Sequence, residues 1–221
     1  PASSQDFLDR FSQSRRTDLY HEALRQLADL NLLYACDCSR KRIREQSQDG
    51  RYAGFCRNRQ LSLDSPDSAW RIKLPDECAV SFKEWQREMY VSLNLSQLMG
   101  DFILKQKDGS PAYQIASLCD DLHWNINFIV RGEDLLPSTG AQIFLAQQLG
   151  YDDFQKATFF HHPLLTDAAG EKLSKSAGST ALASWRAAGE SPRAVWRQAA
   201  QWLGIEYQGE TPGELAAMLR R

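Results

Sequence analysis

The chain has 221 residues, of which 43% are hydrophobic and 24% are charged, and its formal net charge is −2. Such a chain can bury a substantial core. Its charge gives no global signal for nucleic-acid binding, so any such site must be a local patch. No apolar run approaches the roughly 18 residues that span a bilayer, and no apolar leader opens the chain, so we expect no membrane contact and a cytoplasmic location. Five unevenly spaced cysteines exclude a secreted disulfide framework and favour metal binding or buried free thiols.

The first 36 residues are predicted to hold one helix and one strand. Residues 1–12 are polar and irregular, which indicates a loop or a frayed segment. Thr17 and Asp18 offer an N-cap, and apolar residues at helical spacing over residues 19–30 predict an amphipathic helix. The short apolar run at residues 32–36 then predicts a strand that leads into the first cysteine pair.

Three cysteines lie close together in the sequence after this strand. Cys36 and Cys38 form a Cys-x-Cys pair, and Cys56 follows eighteen residues after Cys38. Thiolates bind Zn²⁺ tightly, and a small polar loop has no core of its own, so the spacing favours a zinc knuckle over three unrelated free cysteines. Chemistry alone leaves the fourth ligand open. Cys78 is a suitable residue type but distant in sequence, and Tyr52 is an unusual ligand at a compact spacing.

The middle of the chain alternates strand and loop signals. Residues 69–74 alternate apolar and charged side chains, which predicts a half-buried strand, and residues 101–105 predict another. Phe82, Trp85 and Tyr90 lie between them. We expect these three aromatic side chains to pack in the core or in an interface.

A candidate ligand site follows the next predicted strand. Residues 112–118 predict a helix that ends in the carboxylate pair Asp120-Asp121, and residues 126–130 predict a buried strand. The strand delivers an arginine, a glycine and two acids at residues 131–134. Ligands of open α/β sheets bind beyond the carboxyl ends of the strands, so this loop is a candidate site. A solvated turn with an internal ion pair is the alternative.

A lysine-containing loop comes after the helix predicted from Pro137 to its glycine stop at Gly150. Residues 170–178 read Gly-Glu-Lys-Leu-Ser-Lys-Ser-Ala-Gly. Glycines let the backbone approach a ligand, and two ammonium groups and two hydroxyls are suited to a polyphosphate. A solvated surface loop is the alternative. Beyond it, Ser191-Pro192 and Thr211-Pro212 predict the starts of two packing helices.

Four segments together resemble class I glutamyl-type tRNA synthetases: residues 112–121, 130–139, 161–165 and 172–176. The resemblance covers Gln13 to Gly178. It implies an α/β fold of the Rossmann type, the catalytic core of a class I aminoacyl-tRNA synthetase. The family's His-Ile-Gly-His-type helix start is absent from this sequence, so we expect the first half of the core to be encoded upstream. The implied divisions are a helix leading into the core (1–35), a zinc-binding insertion (36–68), the second half of the catalytic domain (69–180) and a helical tail (181–221).

The resemblance also implies a ligase that uses ATP, with magnesium, to activate glutamate as glutamyl-adenylate. The residues that it carries over by position are Lys172, Ser174 and Lys175 for catalysis, Lys172, Lys175, Glu133 and Asp134 for ATP, and Tyr113 and Arg131 for glutamate. Arg131 suits the side-chain carboxylate of glutamate because its planar fork can pair with it in bidentate fashion. The activity of this chain without the upstream segment is not expected.

One group within the family matches the cysteine spacing. Cys36, Cys38, Tyr52 and Cys56 resemble the zinc site of the short glutamyl-Q tRNA(Asp) synthetases, which makes Tyr52 the fourth ligand and queuosine in the tRNA(Asp) anticodon loop the acceptor. Only 43 residues follow Gly178, too few for an anticodon-binding domain, and we expect a monomer. Two alternatives stay open. One is a truncated ordinary glutamyl-tRNA synthetase, and the other is a non-catalytic zinc-containing module that binds RNA.

Overall fold

The computed structural model of the chain describes residues 3–47, 51–85, 89–164, 166 and 182–218. It divides into two compact units, Pro1–His162 and Pro163–Arg221. In chain order the described strands are β1 (Leu33–Cys36), β2 (Ala69–Ile72), β3 (Ala79–Glu84), β4 (Met89–Asn94), β5 (Ile103–Lys105), β6 (Phe128–Gly132) and β7 (Thr158–His162). The described α-helices are α1 (Ser4–Asp6), α2 (Thr17–Asp29), α3 (Arg40–Gln46), α4 (Leu95–Leu98), α5 (Tyr113–His123), α6 (Leu136–Leu149), α7 (Asp152–Gln155), α8 (Leu182–Ala187), α9 (Pro192–Trp202) and α10 (Pro212–Met218).

The N-terminal segment is helical, so its prediction as a loop was wrong. A π-helical turn at Phe7–Phe11 follows α1 directly. Its terminal carbonyls have no partners within the turn, and the Arg16 side chain satisfies several of them by donating to the backbone oxygens of Arg10, Phe11 and Ser12. A side chain beyond the segment therefore stabilises it, which the local pattern does not reveal.

The first unit contains two sheets. β1, β2 and β5 form an antiparallel sheet in the order β1-β2-β5. The second sheet has the order β4-β3-β7-β6, with β3, β7 and β6 parallel and β4 antiparallel at the edge. Carboxyl ends of parallel strands meet at one edge of a sheet, so Glu84 and His161 lie at the same edge as Arg131.

The main core lies between this second sheet and the helices α2, α5 and α6. Most of the residues of α6 are buried. The helix ends at Gly150, whose φ of 71° is the left-handed conformation that often terminates a helix. Phe82 and Phe159 are fully buried on the sheet. Phe82 therefore lies in the core as expected. Trp85 and Tyr90 are 54% and 71% exposed and so lie outside the core, and their packing in an interface stays a prediction.

The second unit, taken by itself, is a small group of helices. The residues Ala200, Tyr207 and Leu215 form its core. The predicted capping box is present: the Glu214 N–H donates to Thr211 Oγ1 at 3.3 Å, and the Thr211 N–H donates to Glu214 Oε2 at 3.0 Å. Within the described residues, no helix has the length and apolar character needed to cross a membrane.

Candidate active site and metal centre

Arg131 occupies the carboxyl end of β6, where it lies beside His161 of β7. Only 8% of the residue is exposed. Its Nη1 donates to Gln142 Oε1 at 2.9 Å, and its Cζ lies 5.7 Å from the centroid of the Phe159 ring. Within the described part of the chain, no carboxylate oxygen lies at ion-pair distance from the guanidinium. The edge of the sheet thus holds a buried cation whose hydrogen-bond partner is a neutral amide.

Burial dominates the electrostatics around this cation. Desolvation lowers the pKa of Arg131, and the nearby Tyr113 and Asp121 offset part of that effect. Burial raises the pKa of Asp121, and the charge of Arg131 opposes the rise. Tyr113 and Asp121 therefore stabilise the charge of Arg131 only in part. An anion bound at Arg131 would stabilise it further.

The structure places three further residues predicted to contact substrate, Tyr113, Glu133 and Asp134, near this edge. Tyr113, the first residue of α5, is 52% exposed. It lies close enough to Arg131 to raise the pKa of the guanidinium. Glu133 and Asp134 form a 3-10 turn directly after β6 and are exposed. Lys172, Ser174 and Lys175 lie outside the described residues. Tyr113, Arg131 and the two acids are therefore gathered at one strand end, and their roles stay predictions.

Two buried or half-buried glutamines near this edge were not singled out in the sequence. Gln142 is fully buried, and Gln114 donates from Nε2 to Ser138 Oγ at 3.0 Å. Gln142 Nε2 and Gln114 Oε1 have no hydrogen-bond partner among the residues described. The only sequence signal was a glutamine in the otherwise mostly apolar stretch of α6.

A second polar group is buried at the same edge. His161 Nδ1 lies 2.6 Å from Glu84 Oε2, and the His161 backbone N–H donates to Glu84 Oε1 at 3.0 Å. On the other side of the ring, Thr139 Oγ1 lies 2.8 Å from His161 Nε2. These contacts connect the ends of β3 and β7 to α6.

The adjacent carboxylates Asp120 and Asp121 have different surroundings. Asp120 accepts hydrogen bonds from Arg16 Nε at 2.7 Å, from Tyr20 Oη at 2.5 Å and from Gln13 Nε2 at 2.7 Å. Burial alone would raise the pKa of Asp120, but these hydrogen bonds, that of Arg16 first, hold the pKa below its ordinary value. Asp120 thus attaches the N-terminal segment to α5, whereas Asp121 lies within the electrostatic reach of Arg131.

The structure also brings the predicted metal-binding cysteines together. The thiol sulfurs of Cys36, Cys38 and Cys56 all lie within 4.8 Å of one another, and the three residues are buried. Cys38 Sγ is 3.5 Å from Cys56 Sγ, close to the roughly 3.8 Å expected when two thiolates share a tetrahedral zinc ion. Tyr52 Oη lies 3.4 Å from Cys36 Sγ, whereas Cys78 packs in the main core. The three thiols could therefore hold one metal ion, and of the two candidates for a fourth ligand Tyr52 lies beside them and Cys78 does not.

Positive charge and burial both act on this cluster. The Arg71 guanidinium carbon lies 3.7 Å from the centroid of the Tyr52 ring. Burial acts to raise the pKa of the Cys36 thiol, yet Tyr52 and Arg71 together bring it below its ordinary value. Burial and then the neighbouring Cys56 raise the pKa of Cys38 to about 12. A cation placed between the sulfurs would favour the thiolates, as metal binding requires.

Asp101 attaches the cysteine-containing loop to the first sheet. This residue is 3% exposed. Its carboxylate accepts from Tyr34 Oη at 2.5 Å, from the Leu74 N–H at 3.0 Å and from the guanidinium of Arg57. The loop that carries Tyr52 and Arg57 is thus fixed to β1 and β2 by hydrogen bonds as well as by the cysteine cluster.

Parallel strands, a buried arginine at their carboxyl edge and an inserted cysteine cluster define an α/β domain with a candidate site for an anionic ligand at that edge. The family model described as "tRNA synthetases class I (E and Q), catalytic domain" matches residues 6–212. The chain belongs to this family. The match confirms the predicted fold class, a class I aminoacyl-tRNA synthetase catalytic domain, and the enzyme class that goes with it.

Several relatives with assigned names are similar over most of the chain. A protein of Burkholderia orbicola (strain MC0-3) is 39% identical over 211 residues, covering 91% of this chain and 67% of the relative. One of Cupriavidus metallidurans is 41% identical over 209 residues, covering 90% of this chain and 64% of the relative. Both are named glutamyl-Q tRNA(Asp) synthetase. The chain thus spans about two thirds of the length of these relatives.

Solved structures agree on the fold. The glutamate-tRNA synthetase of Elizabethkingia anophelis superposes with a TM-score of 0.60 at 24% identity, over 76% of this chain and 37% of that protein. A glutamate tRNA ligase of Elizabethkingia meningosepticum, in complex with its amino acid, gives a TM-score of 0.58 at 23% identity. At these identities the similarity speaks for the fold alone.

Proposed function

We propose that the protein uses ATP to activate glutamate as glutamyl-adenylate and transfers the glutamyl group to queuosine in the anticodon loop of tRNA(Asp). Membership in the class I family and the names of the relatives support this reaction. The observation that carries it is the buried Arg131, whose described hydrogen-bond partner is the neutral side chain of Gln142. The proposal includes a monomer that acts in the cytoplasm.

A buried cation of this kind favours a substrate carboxylate. Removing a charge from water costs several kcal/mol unless an opposite charge and hydrogen bonds compensate it. The planar guanidinium can meet a carboxylate with two parallel N–H···O bonds. Free glutamine, the competing amino acid, has no negative charge on its side chain. Its binding would leave the cost of burying Arg131 largely uncompensated. Arg131, with Tyr113 beside it, is therefore proposed to select glutamate by its side-chain carboxylate.

The ATP half of the reaction needs positive charge at another point. The α-carboxylate of glutamate attacks the α-phosphorus of ATP. A bond from its oxygen to that phosphorus forms, the bond from the α-phosphorus to the oxygen bridging to the β-phosphorus breaks, and pyrophosphate leaves. Negative charge builds on the phosphoryl oxygens and the departing group, and Lys172 and Lys175 are proposed to stabilise it, with Ser174 as a hydrogen-bond donor. Magnesium enters with ATP, and Glu133 and Asp134 are proposed to lie near the adenosine.

We also propose that Cys36, Cys38, Tyr52 and Cys56 bind one zinc ion. Support comes from the spacing of their donor atoms, their burial and the charge of Arg71. Zinc bound there would cross-link the end of β1 to the loop that follows α3. That loop has few apolar residues, so such a cross-link would contribute directly to its stability.

Transfer of labelled glutamate by the full-length natural protein tests the function. The acceptors are an isolated anticodon stem-loop of tRNA(Asp) with queuosine, the same stem-loop with guanosine, and intact tRNA(Glu). We expect transfer to the queuosine stem-loop alone, because guanosine lacks the hydroxylated ring that accepts the ester. Efficient charging of tRNA(Glu) would instead indicate an ordinary glutamyl-tRNA synthetase. Stem-loop binding without adenylate formation would indicate a non-catalytic RNA-binding module.

A further inference from the structure

α6 presents two fully buried polar side chains to the carboxyl edge of the second sheet. Thr139 and Gln142 are three positions apart, so they lie on the same face of the helix, and neither is exposed. Thr139 contacts His161 of β7, and Gln142 contacts Arg131 of β6. Apolar side chains at these positions would avoid the cost of burying polar groups. The two contacts therefore need a reason beyond packing.

The orientation of the Gln142 amide is dictated by Arg131. A guanidinium has donors and no acceptor, so only the carbonyl oxygen of the amide can face it. Oε1 accepts from Arg131 Nη1 at 2.9 Å, and Nε2 must then point elsewhere. Nε2 has no hydrogen-bond partner in the described part of the chain. Leaving a buried donor without a hydrogen bond costs free energy, so this orientation is retained at a cost to stability.

The contact has two consequences for Arg131. It occupies one N–H of Nη1 and so restricts rotation of the guanidinium, while the other donors stay available to a ligand. It also leaves the positive charge intact, because an amide is neutral. A glutamate at position 142 would have nearly the same shape but would pair with Arg131 and compete with an incoming carboxylate.

α6 is itself fixed to the sheet edge next to this contact. Thr139 Oγ1 lies 2.8 Å from His161 Nε2, and both carboxylate oxygens of Glu84 hold His161. This buried group fixes the helix one turn before Gln142. The amide is thereby held against Arg131 without a carboxylate contacting the guanidinium.

We propose that Gln142 is a positioning residue that orients Arg131 and keeps its charge uncompensated for the side-chain carboxylate of the substrate. The inference rests on the proposed function, because it takes glutamate as the ligand of Arg131. It assigns to a neutral side chain on α6 part of the selection of glutamate over glutamine.

The test compares four variants of the full-length natural protein with the wild type. Gln142→Glu introduces the competing charge in the same shape, and Gln142→Leu removes the acceptor. Gln147→Glu makes the same charge change at an exposed position of the same helix, and Arg131→Met removes the guanidinium. The readouts are kcat and KM for glutamate in ATP–pyrophosphate exchange, and the rise in Tm that saturating glutamate produces.

We expect Gln142→Glu to raise the KM for glutamate by about tenfold or more, with kcat changed by less than about threefold, and to abolish most of the glutamate-dependent rise in Tm. Gln147→Glu should match the wild type. Arg131→Met should raise KM at least as much as Gln142→Glu. Gln142→Leu should raise KM less than Gln142→Glu does, because it loosens Arg131 without neutralising it.

A KM for Gln142→Glu within about twofold of the wild type would overturn the role of Gln142, and an accompanying high KM for Arg131→Met would leave the proposed function standing. A wild-type KM in Arg131→Met would overturn the glutamate site itself. If Gln142→Glu shows no cooperative unfolding transition, it has not folded and its KM is not used. The Gln142→Leu variant then provides the test, and a KM for glutamate equal to that of the wild type overturns the inference.

Discussion

At the scale of single residues, several of the buried polar and charged side chains of the first unit lie together at one edge of the second sheet. Arg131, Glu84, Thr139 and Gln142 are each at least nine-tenths buried, and all lie at or against the carboxyl ends of parallel strands. Buried polar groups cost free energy unless they are paired, and partial pairing is typical of sites that bind ligands. The group of such side chains at this edge supports the proposal that the edge binds the substrate.

The proposed role of Lys175 leads to a kinetic prediction. If its ammonium group faces charge that develops only in the transition state, Lys175→Ala should lower kcat by about 10²–10³ and change the KM for ATP much less. ATP–pyrophosphate exchange by the full-length protein measures both constants. Lys156→Ala, which removes an exposed lysine paired with Asp153, is the matched control and should leave both unchanged. Near-normal turnover of Lys175→Ala would mean that residues 170–178 form only a surface loop.

At the scale of elements, regular periodicity was the reliable signal. The alternation over residues 69–74 predicted β2, and the glycine stop at Gly150 predicted the end of α6. The strand β3 was missed, although its side chains alternate in burial, because the buried Glu84 breaks the apolar pattern. Glu84 is buried because His161 pairs with it from another strand, and no local rule contains that partner.

The cysteine cluster shows the same limit in a different form. Spacing identified Cys36, Cys38 and Cys56, but chemistry could not choose between Cys78 and Tyr52. The choice depends on which chain segments fold together, and the structure puts Tyr52 in the cluster and Cys78 in the main core. The sequence thus predicts which residue types bind the metal more readily than it predicts every residue that does so.

Cys56 is buried in the cysteine cluster and Cys78 is buried in the main core, so the two residues give a matched test of the metal centre. The wild-type protein should contain about one zinc per chain, and Cys56→Ser should lose most of it, because a hydroxyl is a far poorer zinc ligand than a thiolate. Cys78→Ser changes a cysteine of similar burial outside the cluster and should keep its zinc. Elemental analysis of purified protein gives the stoichiometry. Equal zinc in both variants, or none in the wild type, would contradict the site.

At the scale of the whole first unit, contacts between distant parts of the chain decide what the sequence could not. Gln13, Arg16 and Tyr20 all donate to Asp120, about a hundred positions away. Arg16 also satisfies the carbonyls that end the π-helical turn. One carboxylate on α5 therefore helps to order an N-terminal segment that looks irregular on its own. Because Asp120 and Asp121 are adjacent in the sequence, they looked like one carboxylate pair. In the structure Asp120 binds the N-terminal segment, whereas Asp121 lies near Arg131.

This arrangement predicts how stability depends on pH. The pKa of Asp120 is lowered in the folded protein, whereas the pKa of an aspartate in an unfolded chain is about 3.9. A carboxyl with a depressed folded pKa contributes stability that is fully present above its unfolded pKa and is lost as the pH falls through the folded pKa. Stability from Asp120 should therefore be present at neutral pH and disappear in acid.

Asp120→Asn isolates this contribution. At pH 7 the variant should be less stable than the wild type by about 1–3 kcal/mol, since hydrogen bonds to a charged group are lost or weakened. The difference should shrink as the pH falls through the pKa of folded Asp120, because the protonated carboxyl of the wild type also carries no charge. Asp64→Asn, at an exposed turn, is the control and should change stability little at any of the pH values. Urea unfolding at several pH values measures both variants, and a difference for Asp120→Asn that stays constant into acid would refute this role of Asp120.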